Sequence, residues 1–290
     1  MMRAGLALAF AALIGTASAA NAARSPTWTT AVEPFEIYGN TYYVGTEGIA
    51  SVLITSPQGH VLVDAGVADA APLVAASIRK LGFDVHDVKA IVASHAHHDH
   101  VGGIAELRRL SGATVYARAA QAATLRVGEL QPDDPQYGVA DSAFPAVEQV
   151  SVIPDDGAVK VGSIVLHAIA TPGHTPGGTS WTWQSCEHER CASLVYADSL
   201  TAVSADGFRF TQNTDLVDEL SASIDRIASE PCDVLVTPHP EVSRFFERMQ
   251  ERAEGGPTRV IDTGACRRYA DGARAGLASR LQRERDGREN

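Results

Sequence analysis

The sequence predicts an α/β protein in which two similar strand-rich halves are each flanked by helices. Short β-branched runs end at glycine or polar residues, and the segments between them carry apolar residues at helical spacing. The same alternation returns in the second half, although no sequence repeat is strong enough to prove that the halves are related. A chain of 290 residues is long enough for one large domain with a sizeable core.

The N-terminus is predicted to be a secretory signal peptide and not part of the fold. Arg3 gives a positive start, an apolar run spans residues 5–14, and residues 17–19 form a small-residue cleavage site, with residues 20–22 as a second candidate. The apolar run is too short to span a bilayer, and no cysteine for a lipid anchor lies beside it. We therefore expect residues 1–19 to be removed and residues 24–290 to form a single periplasmic domain.

The first half of the mature chain is predicted to be mostly strands. Residues that favour β-structure, with a turn signal at residues 57–59, predict strands over 35–44, 49–55 and 61–64. Helical periodicity then predicts a helix over 70–81, and the pattern continues with strand 89–93, helix 104–110 and strand 113–116. Prolines interrupt residues 118–150, which predicts a loop or short helices there.

The β pattern returns from Val159 in the second half. Strands are predicted over 164–170, 179–183, 193–197 and 233–237, and helices over 216–227, 242–252 and 266–283. The tail from Glu284 onward is charged and is expected to fray. The formal charge is −11 and no basic patch is present, which argues against a nucleic-acid partner.

Four cysteines remain in the predicted mature chain, and four cysteines allow three pairings. In an exported protein we favour Cys186–Cys191, which would close a hairpin, and Cys232–Cys266, which would tie a strand to the C-terminal helix. Free thiols or a cysteine-rich zinc site are the alternatives, but the spacing fits no zinc-finger pattern.

Five side chains in the segment 91–103 can bind a metal: His95, His97, His98, Asp99 and His100. If the backbone stays extended beyond strand 89–93, alternate side chains point the same way. This places His95, His97 and Asp99 on one side and His98 on the other, and His100 joins where the chain turns. The pattern predicts a nitrogen-only half-site beside a mixed one, which suits Zn²⁺. A histidine-rich loop that takes up metal adventitiously is the weaker alternative.

Two further histidines follow predicted strands. His174 lies in the glycine- and proline-rich loop 170–178 and could complete the nitrogen-only half-site, while His239 could complete the mixed half-site. Asp198 also follows a strand and could either bridge two metals or hold a ligand histidine. Since all these groups follow strands, we expect them along one rim of the fold.

At these residues the chain resembles the metallo-β-lactamase superfamily, whose fold is a four-layer αββα sandwich. The resemblance is carried by HxHxDH at 95–100, PGHTPGG at 172–178, ADSL at 197–200 and TPHP at 237–240, in that order. It covers nearly the whole mature chain from residue 39 onward. More narrowly, the chain is similar to the third subclass of class B β-lactamases, some of which carry disulfides at the positions favoured above.

The resemblance implies two zinc ions, one bound by His95, His97 and His174 and the other by Asp99, His100 and His239. Ser199 and Thr201 match positions that contact the substrate carboxylate, and Gln136 matches a loop position near the substrate. The resemblance favours Asp198 as a carboxylate that orients a ligand histidine. We interpret Asp64, at the end of another predicted strand, as a second candidate for that task.

The implied reaction is hydrolysis of a β-lactam ring by a zinc-bound hydroxide, with Asp99 as the assisting catalytic residue. The implied substrates are penicillins, cephalosporins and carbapenems, which would give antibiotic resistance, and we expect a monomer without a membrane anchor. A serine nucleophile is not required. The one Ser-x-x-Lys, at residues 77–80, lacks the companion motifs of serine β-lactamases.

Three alternatives remain. A lactonase or a glyoxalase II-type thioesterase shares HxHxDH and would use Asp198 as a bridge between metals, but the predicted signal peptide and paired cysteines disfavour a cytosolic thioesterase. An exported zinc-binding protein without catalysis would require closed coordination at both metals. An oxygen-reducing di-iron relative would carry a further carboxylate among the ligands of the first motif.

Overall fold

Two β-sheets stacked face to face between helical layers make up the protein, so the predicted αββα sandwich is confirmed. The computed structural model describes residues 25–255 and 260–288, and the predicted signal peptide lies outside them. Among the described residues, no helix combines the length and the apolar character needed to cross a bilayer.

The first sheet contains seven strands in the order of the sequence: β1 Phe35–Tyr38, β2 Thr41–Tyr43, β3 Val52–Ile54, β4 His60–Val63, β5 Val88–Val92, β6 Thr114–Arg118 and β7 Val150–Ile153. Pairs from β1 to β4 are antiparallel, and pairs from β4 to β7 are parallel. The prediction of one strand over 35–44 is wrong. Gly39 adopts φ +55° and the chain reverses there, so that two short strands pair with each other.

The second sheet contains five strands in the spatial order β12-β11-β10-β9-β8: β8 Ala158–Val161, β9 Ile164–Ala170, β10 Thr179–Glu187, β11 Arg190–Tyr196 and β12 Val234–Val236. The pairs from β8 to β11 are antiparallel, whereas β11 and β12 are parallel. β10 and β11 form a longer hairpin than predicted, with Cys186 opposite Cys191.

Large aromatic side chains fill the core between the two sheets. Trp181 and Trp183 alternate along β10 and are both buried. The indole N–H of Trp181 donates to the carbonyl oxygen of Ala93 at 2.9 Å, and that of Trp183 donates to Thr41 Oγ1 at 3.0 Å. Their apolar rings therefore join the sheets while their polar atoms are satisfied.

Helices cover the outer face of each sheet. The described α-helices are α1 Ala71–Lys80, α2 His98–Val101, α3 Ile104–Ser111, α4 Ala119–Val127, α5 Thr214–Ser229, α6 Phe245–Gly255 and α7 Ala265–Arg285. α1, α3 and α4 pack on the first sheet, and α5 and α7 pack on the second. Residues 118–150, predicted as a loop or short helices, contain α4 and end at the first residue of β7. The helix predicted from 242 begins later, because Pro240–Ser243 forms a 3₁₀ turn.

Both predicted disulfides are present. Cys186–Cys191 joins facing positions of the β10–β11 hairpin, and Cys232–Cys266 ties the start of β12 to α7. The prediction that the chain frays from Glu284 is wrong, because this side chain is buried and accepts hydrogen bonds from the backbone N–H groups of Phe210 and Thr211. The C-terminal helix is thus fastened near both of its ends.

Candidate metal centre

Metal-binding side chains collect at one rim of the sandwich, beyond the carboxyl ends of strands from both sheets. His95 follows β5, His174 follows β9 and His239 follows β12. The structure brings all six predicted ligands into two adjacent groups, and within each group the ligand atoms lie within 4.8 Å of one another. We call His95, His97 and His174 the first triad, and Asp99, His100 and His239 the second triad.

The first triad is a buried cluster of imidazoles. Ring centroids are 4.6 Å apart for His95 and His97, 4.8 Å for His95 and His174, and 5.0 Å for His97 and His174. Burial and the neighbouring imidazoles lower the pKa of His95 well below its ordinary value and lower that of His174 to about 3. Neutral imidazole is the form that binds a metal, so these two rings are ready to act as ligands near pH 7.

Each imidazole of the first triad is held by a further polar group. Asp198 Oδ1 lies 2.8 Å from His95 Nδ1, and the carbonyl oxygen of Thr201 lies 2.9 Å from His174 Nδ1. Asp134 Oδ2 lies 3.2 Å from His97 Nε2. Such partners fix the tautomer and orientation of a ring and leave its other nitrogen for a metal.

The sequence pattern singles out Asp198 but not Asp134. Asp134 lies in the proline-rich stretch 131–135, whose composition indicates only a break between elements. Its carboxylate meets a histidine that is 37 residues away in the chain. The single local signal was an acidic pair, Asp133-Asp134, in a loop expected near the site.

Asp99 and His100 of the second triad lie on one turn of helix, whereas extended backbone was predicted as far as Asp99. His97 is still extended, with φ −93° and ψ 150°, but α2 begins immediately after it. Consecutive residues on this turn, Asp99 and His100, therefore both reach the site. His98 belongs to neither triad, as predicted, and its ring lies 5.8 Å from that of Trp28.

Charge is concentrated in the second triad. Asp99 Oδ2 lies 3.3 Å from His100 Nε2 and 3.5 Å from His239 Nε2. Burial alone would raise the pKa of Asp99, but the adjacent His100 lowers it well below its ordinary value. Burial would likewise lower the pKa of His100, yet the charges of Asp99 and Asp64 outweigh it and bring this pKa to about 10.

Asp64 joins the two sheets directly behind the second triad. Its carboxylate accepts hydrogen bonds from Ser94 N at 2.7 Å, Ser94 Oγ at 2.8 Å and Tyr196 Oη at 2.7 Å. It also lies 3.4 Å from His100 Nδ1, without forming a hydrogen bond. Asp64 is therefore beside a ligand histidine as predicted, while the hydrogen bonds it accepts connect β4 to β5 and β11.

Two of the three predicted substrate positions, Thr201 and Gln136, contact histidines of the first triad. Ser199 is buried directly after Asp198, and Thr201 is half-buried beside His174. Gln136 Nε2 lies 3.5 Å from His97 Nδ1. The loops that carry these residues touch each other, since Ala205 N donates to the carbonyl oxygen of Pro135 at 2.9 Å.

A glycine allows the loop 172–178 to approach Asp198 closely. A Cβ atom at Gly178 would lie 2.5 Å from Asp198 Oδ2 and 2.4 Å from the carbonyl oxygen of Thr171, which no side chain could tolerate. This close packing buries Asp198 completely, and burial raises the pKa of its carboxyl well above the ordinary value.

The two triads fit a pair of metal ions. Both ring nitrogens of His100 are buried and, among the described residues, have no hydrogen-bond partner. A metal would take the place of the proton on the nitrogen that faces the triad, because a ligand imidazole must be neutral. Imidazole nitrogens with one carboxylate are a donor set typical of zinc, with magnesium and calcium preferring oxygen ligands.

Comparisons with known proteins place this site in a family. The structure is similar to that of Rm3 metallo-beta-lactamase, with 48% identity over 89% of this chain and 97% of that chain and a TM-score of 0.87. It is also similar to MEM-A1, a subclass B3 metallo-beta-lactamase isolated from a soil metagenome library, with 42% identity, 90% and 100% coverage, and a TM-score of 0.87.

Curated relatives match a smaller part of the chain. A hydroxyacylglutathione hydrolase of Rhodopseudomonas palustris (strain HaA2) is 34% identical over 154 residues, which are 53% of this chain and 46% of that protein. The match thus spans about half the length of such relatives. The family model of the metallo-beta-lactamase superfamily matches residues 44–239, which include both triads. The chain therefore belongs to the metallo-β-lactamase superfamily of metal-dependent hydrolases, and its structure is similar to those of subclass B3 enzymes.

Proposed function

We propose that the protein binds two zinc ions and opens the β-lactam ring of penicillins, cephalosporins and carbapenems. The observation that carries this proposal is the pair of adjacent triads at the rim of a sandwich that matches subclass B3 structures over about nine-tenths of the chain. The first triad would hold one zinc ion and the second triad the other. When bound, zinc lowers the pKa of a coordinated water to about 7 and polarises a carbonyl oxygen.

The residues of the chain supply the geometry for this chemistry. Asp198, Asp134 and the Thr201 carbonyl hold the three imidazoles of the first triad. Little reorganisation of these rings is therefore needed when a metal ion binds. Asp99 has a lowered pKa and stays ionised near neutral pH. Its carboxylate oxygens can therefore orient an attacking water by accepting a hydrogen bond from it.

Hydroxyl groups beside the first triad are suited to holding an anionic substrate. Ser199 and Thr201 lie on the segment that leaves β11, and Thr201 Oγ1 lies 3.1 Å from His174 Nδ1. Their hydroxyls can donate hydrogen bonds to the carboxylate that penicillins, cephalosporins and carbapenems all carry. Gln136, on the facing loop, borders the same space and can contact the remainder of the substrate.

The competing proposal is a lactonase or a thioesterase on the same fold, supported by the partial match to a hydroxyacylglutathione hydrolase. That proposal uses Asp198 as a bridge between two metals. Asp198 Oδ1 is instead hydrogen-bonded to His95 Nδ1, behind the ligand ring. This orientation favours the β-lactamase function.

A substrate panel with metal analysis tests the proposal. Purified mature protein is assayed with a penicillin, a cephalosporin, a carbapenem, an acyl-homoserine lactone and a glutathione thioester, and its zinc content is measured in parallel. We expect hydrolysis of the β-lactams that disappears with a chelator and returns with Zn²⁺. Turnover of the lactone or thioester with every β-lactam left intact, at full zinc content, would select the competing proposal.

We also propose that residues 1–19 direct export and that the mature domain acts as a periplasmic monomer without a membrane anchor. The apolar run and the small-residue cleavage site support export. Mass spectrometry of the periplasmic protein should give an N-terminus at residue 20, or at 23 if the later site is used. Light scattering after size-exclusion chromatography should give the mass of one chain.

A further inference from the structure

One face of helix α7 makes side-chain contacts along the segment that borders the candidate metal centre. We call residues 198–211 the site loop, because they begin at Asp198 and pass through Ser199 and Thr201. Tyr269 Oη donates to the carbonyl oxygen of Asp198 at 2.7 Å and accepts from Leu200 N at 3.1 Å. Arg280 and Glu284 follow at helical spacing and contact later parts of the loop.

The guanidinium of Arg280 forms hydrogen bonds with three groups in the middle of the site loop. Its side chain is about 5% exposed, and its nitrogens donate to the carbonyl oxygens of Ala202 at 3.0 Å and Phe208 at 3.1 Å and to Ser204 Oγ at 2.8 Å. The planar guanidinium fixes the directions of these donors, so it holds three groups of the loop in one arrangement.

Glu284 holds the end of the loop and the Arg280 guanidinium together. One carboxylate oxygen accepts from Arg280 Nε at 2.6 Å and from Phe210 N at 3.1 Å. The other accepts from Thr211 N at 2.8 Å and from Thr211 Oγ1 at 2.9 Å. The carboxylate thus satisfies four donors, three of which belong to the site loop.

A buried ion pair is an inefficient way to fasten a helix. Well-packed apolar residues in its place are often as stable or more stable, because burying two charges costs several kcal/mol. α7 is also attached independently, by Cys232–Cys266 and by apolar packing against α5. The contacts of Arg280 and Glu284 are instead directed at backbone groups of the site loop, so their specific effect is on its shape.

We propose that Arg280 and Glu284 are positioning residues for the candidate metal centre. They hold the site loop in the shape in which both the carbonyl oxygen and the hydroxyl of Thr201 contact His174 Nδ1. The connection is short, since Arg280 holds the carbonyl of Ala202 and the preceding carbonyl is the one that contacts His174 Nδ1. Misplacements of about 1 Å in such groups can cost about a hundredfold in activity.

Four variants test this proposal: R280K, R280M, E284Q and the control R274M. R280K keeps the positive charge but loses the planar guanidinium and its fixed set of donors. R274M removes two other ion pairs of α7, the exposed contacts of Arg274 with Asp225 of α5 and with Asp271, neither of which involves a residue of the site loop. Each variant is loaded with Co²⁺, whose absorption spectrum reports ligand number and geometry, and kcat and KM are measured for a penicillin with the zinc-loaded protein.

We expect R280K, R280M and E284Q to alter the Co²⁺ spectrum and to raise KM about tenfold with a smaller change in kcat, while R274M keeps wild-type values. A wild-type spectrum and KM in folded R280K would overturn the proposal, even if its melting temperature fell. If R280M does not fold, R280K still decides. The KM measurement depends on the proposed function, whereas the Co²⁺ spectrum does not. If the wild-type enzyme does not hydrolyse β-lactams, the proposed function is refuted, and the Co²⁺ spectra still test whether Arg280 and Glu284 position the site.

Discussion

The two triads of the candidate metal centre share a rim but differ in how the protein supports them. Each imidazole of the first triad has a polar partner that fixes its orientation. In the second triad, by contrast, His100 is buried with no hydrogen-bond partner among the described residues, and the His239 side chain is 26% exposed. The two groups of candidate ligands are therefore not equivalent. The first triad is organised in advance, and the second depends more on the ion it binds.

The largest expected effect is a difference in activity between variants that lose a histidine of the first triad and variants that lose one of the second. We expect His97→Ala to lower kcat/KM for a penicillin by on the order of a thousandfold or more, because it removes a ligand from the organised site. His239→Ala should cost less, about 10–100-fold, since its ring is partly exposed. Circular dichroism should show that both variants fold. Equal losses, or a larger loss in His239→Ala, would contradict the distinction between the triads.

A second effect concerns the outermost support of the first triad, Glu284. Burial raises the pKa of this carboxyl, but the N–H groups of Thr211 and Phe210 and the Arg280 guanidinium outweigh burial and lower it to about 2, from an ordinary value of 4.5. Because the pKa is lowered by folding, the contribution to stability is complete above about pH 4.5 and disappears as the pH falls through about 2.

The expected loss for Glu284→Gln is therefore about 3 kcal/mol at pH 7, with the gap to the wild-type protein narrowing below pH 4.5. Urea unfolding of the metal-free proteins at pH 7, 5, 4 and 3 measures this gap. Glu106→Gln removes an exposed ion pair with Arg109 and serves as the matched control, with a much smaller loss than Glu284→Gln because solvent screens the pair. A gap for Glu284→Gln that stays constant down to pH 3 would show that the carboxylate charge is not responsible.

The third prediction compares the carboxylates behind the two triads. Asp134→Asn should weaken zinc binding about 10–100-fold with little change in stability, because the hydrogen bond that Asp134 forms with His97 orients a ligand. Asp64→Asn should lower the free energy of unfolding by about 2 kcal/mol, because its hydrogen bonds join β4 to β5 and β11. Competition with a chromophoric chelator and urea unfolding give the two quantities. The reverse pattern would mean that Asp64 is the orienting group.

A residue of this site could be predicted from the sequence only where the residues that indicate its role lie close to it in the chain. The six candidate ligands could be predicted to lie close together because each follows a strand within a short motif, and neighbouring strand ends must meet at one rim. The roles of Asp134 and Glu284 could not be predicted, because His97 lies 37 residues from Asp134, and Phe210 and Thr211 lie 74 and 73 residues from Glu284, so that only the folded chain brings them together. Glu284 in particular looks like part of a solvated tail, since three arginines and an aspartate surround it.

The fold shows the same limit. The αββα layers follow from strands and helices whose periodicity is visible in the sequence, and β9 was predicted at its observed bounds. The hairpin at Gly39 was missed because the apolar residues on both sides of the turn look like one continuous strand. α2 was missed because one turn of helix is too short for a periodic pattern and is set by the backbone around the metal ligands.

The smallest expected effect is a difference in metal affinity between the triads. Removing zinc from the fully loaded protein with increasing chelator should give two steps, with the zinc content falling from two to one before it falls to zero and the midpoints about tenfold apart. The first ion to leave should come from the second triad. His239→Ala should then abolish the early step and keep the late one, whereas Asp134→Asn should shift the late step towards the early one. A single step that releases both ions would mean that the triads bind metal as one unit, and the unequal support of their histidines would have no consequence for affinity.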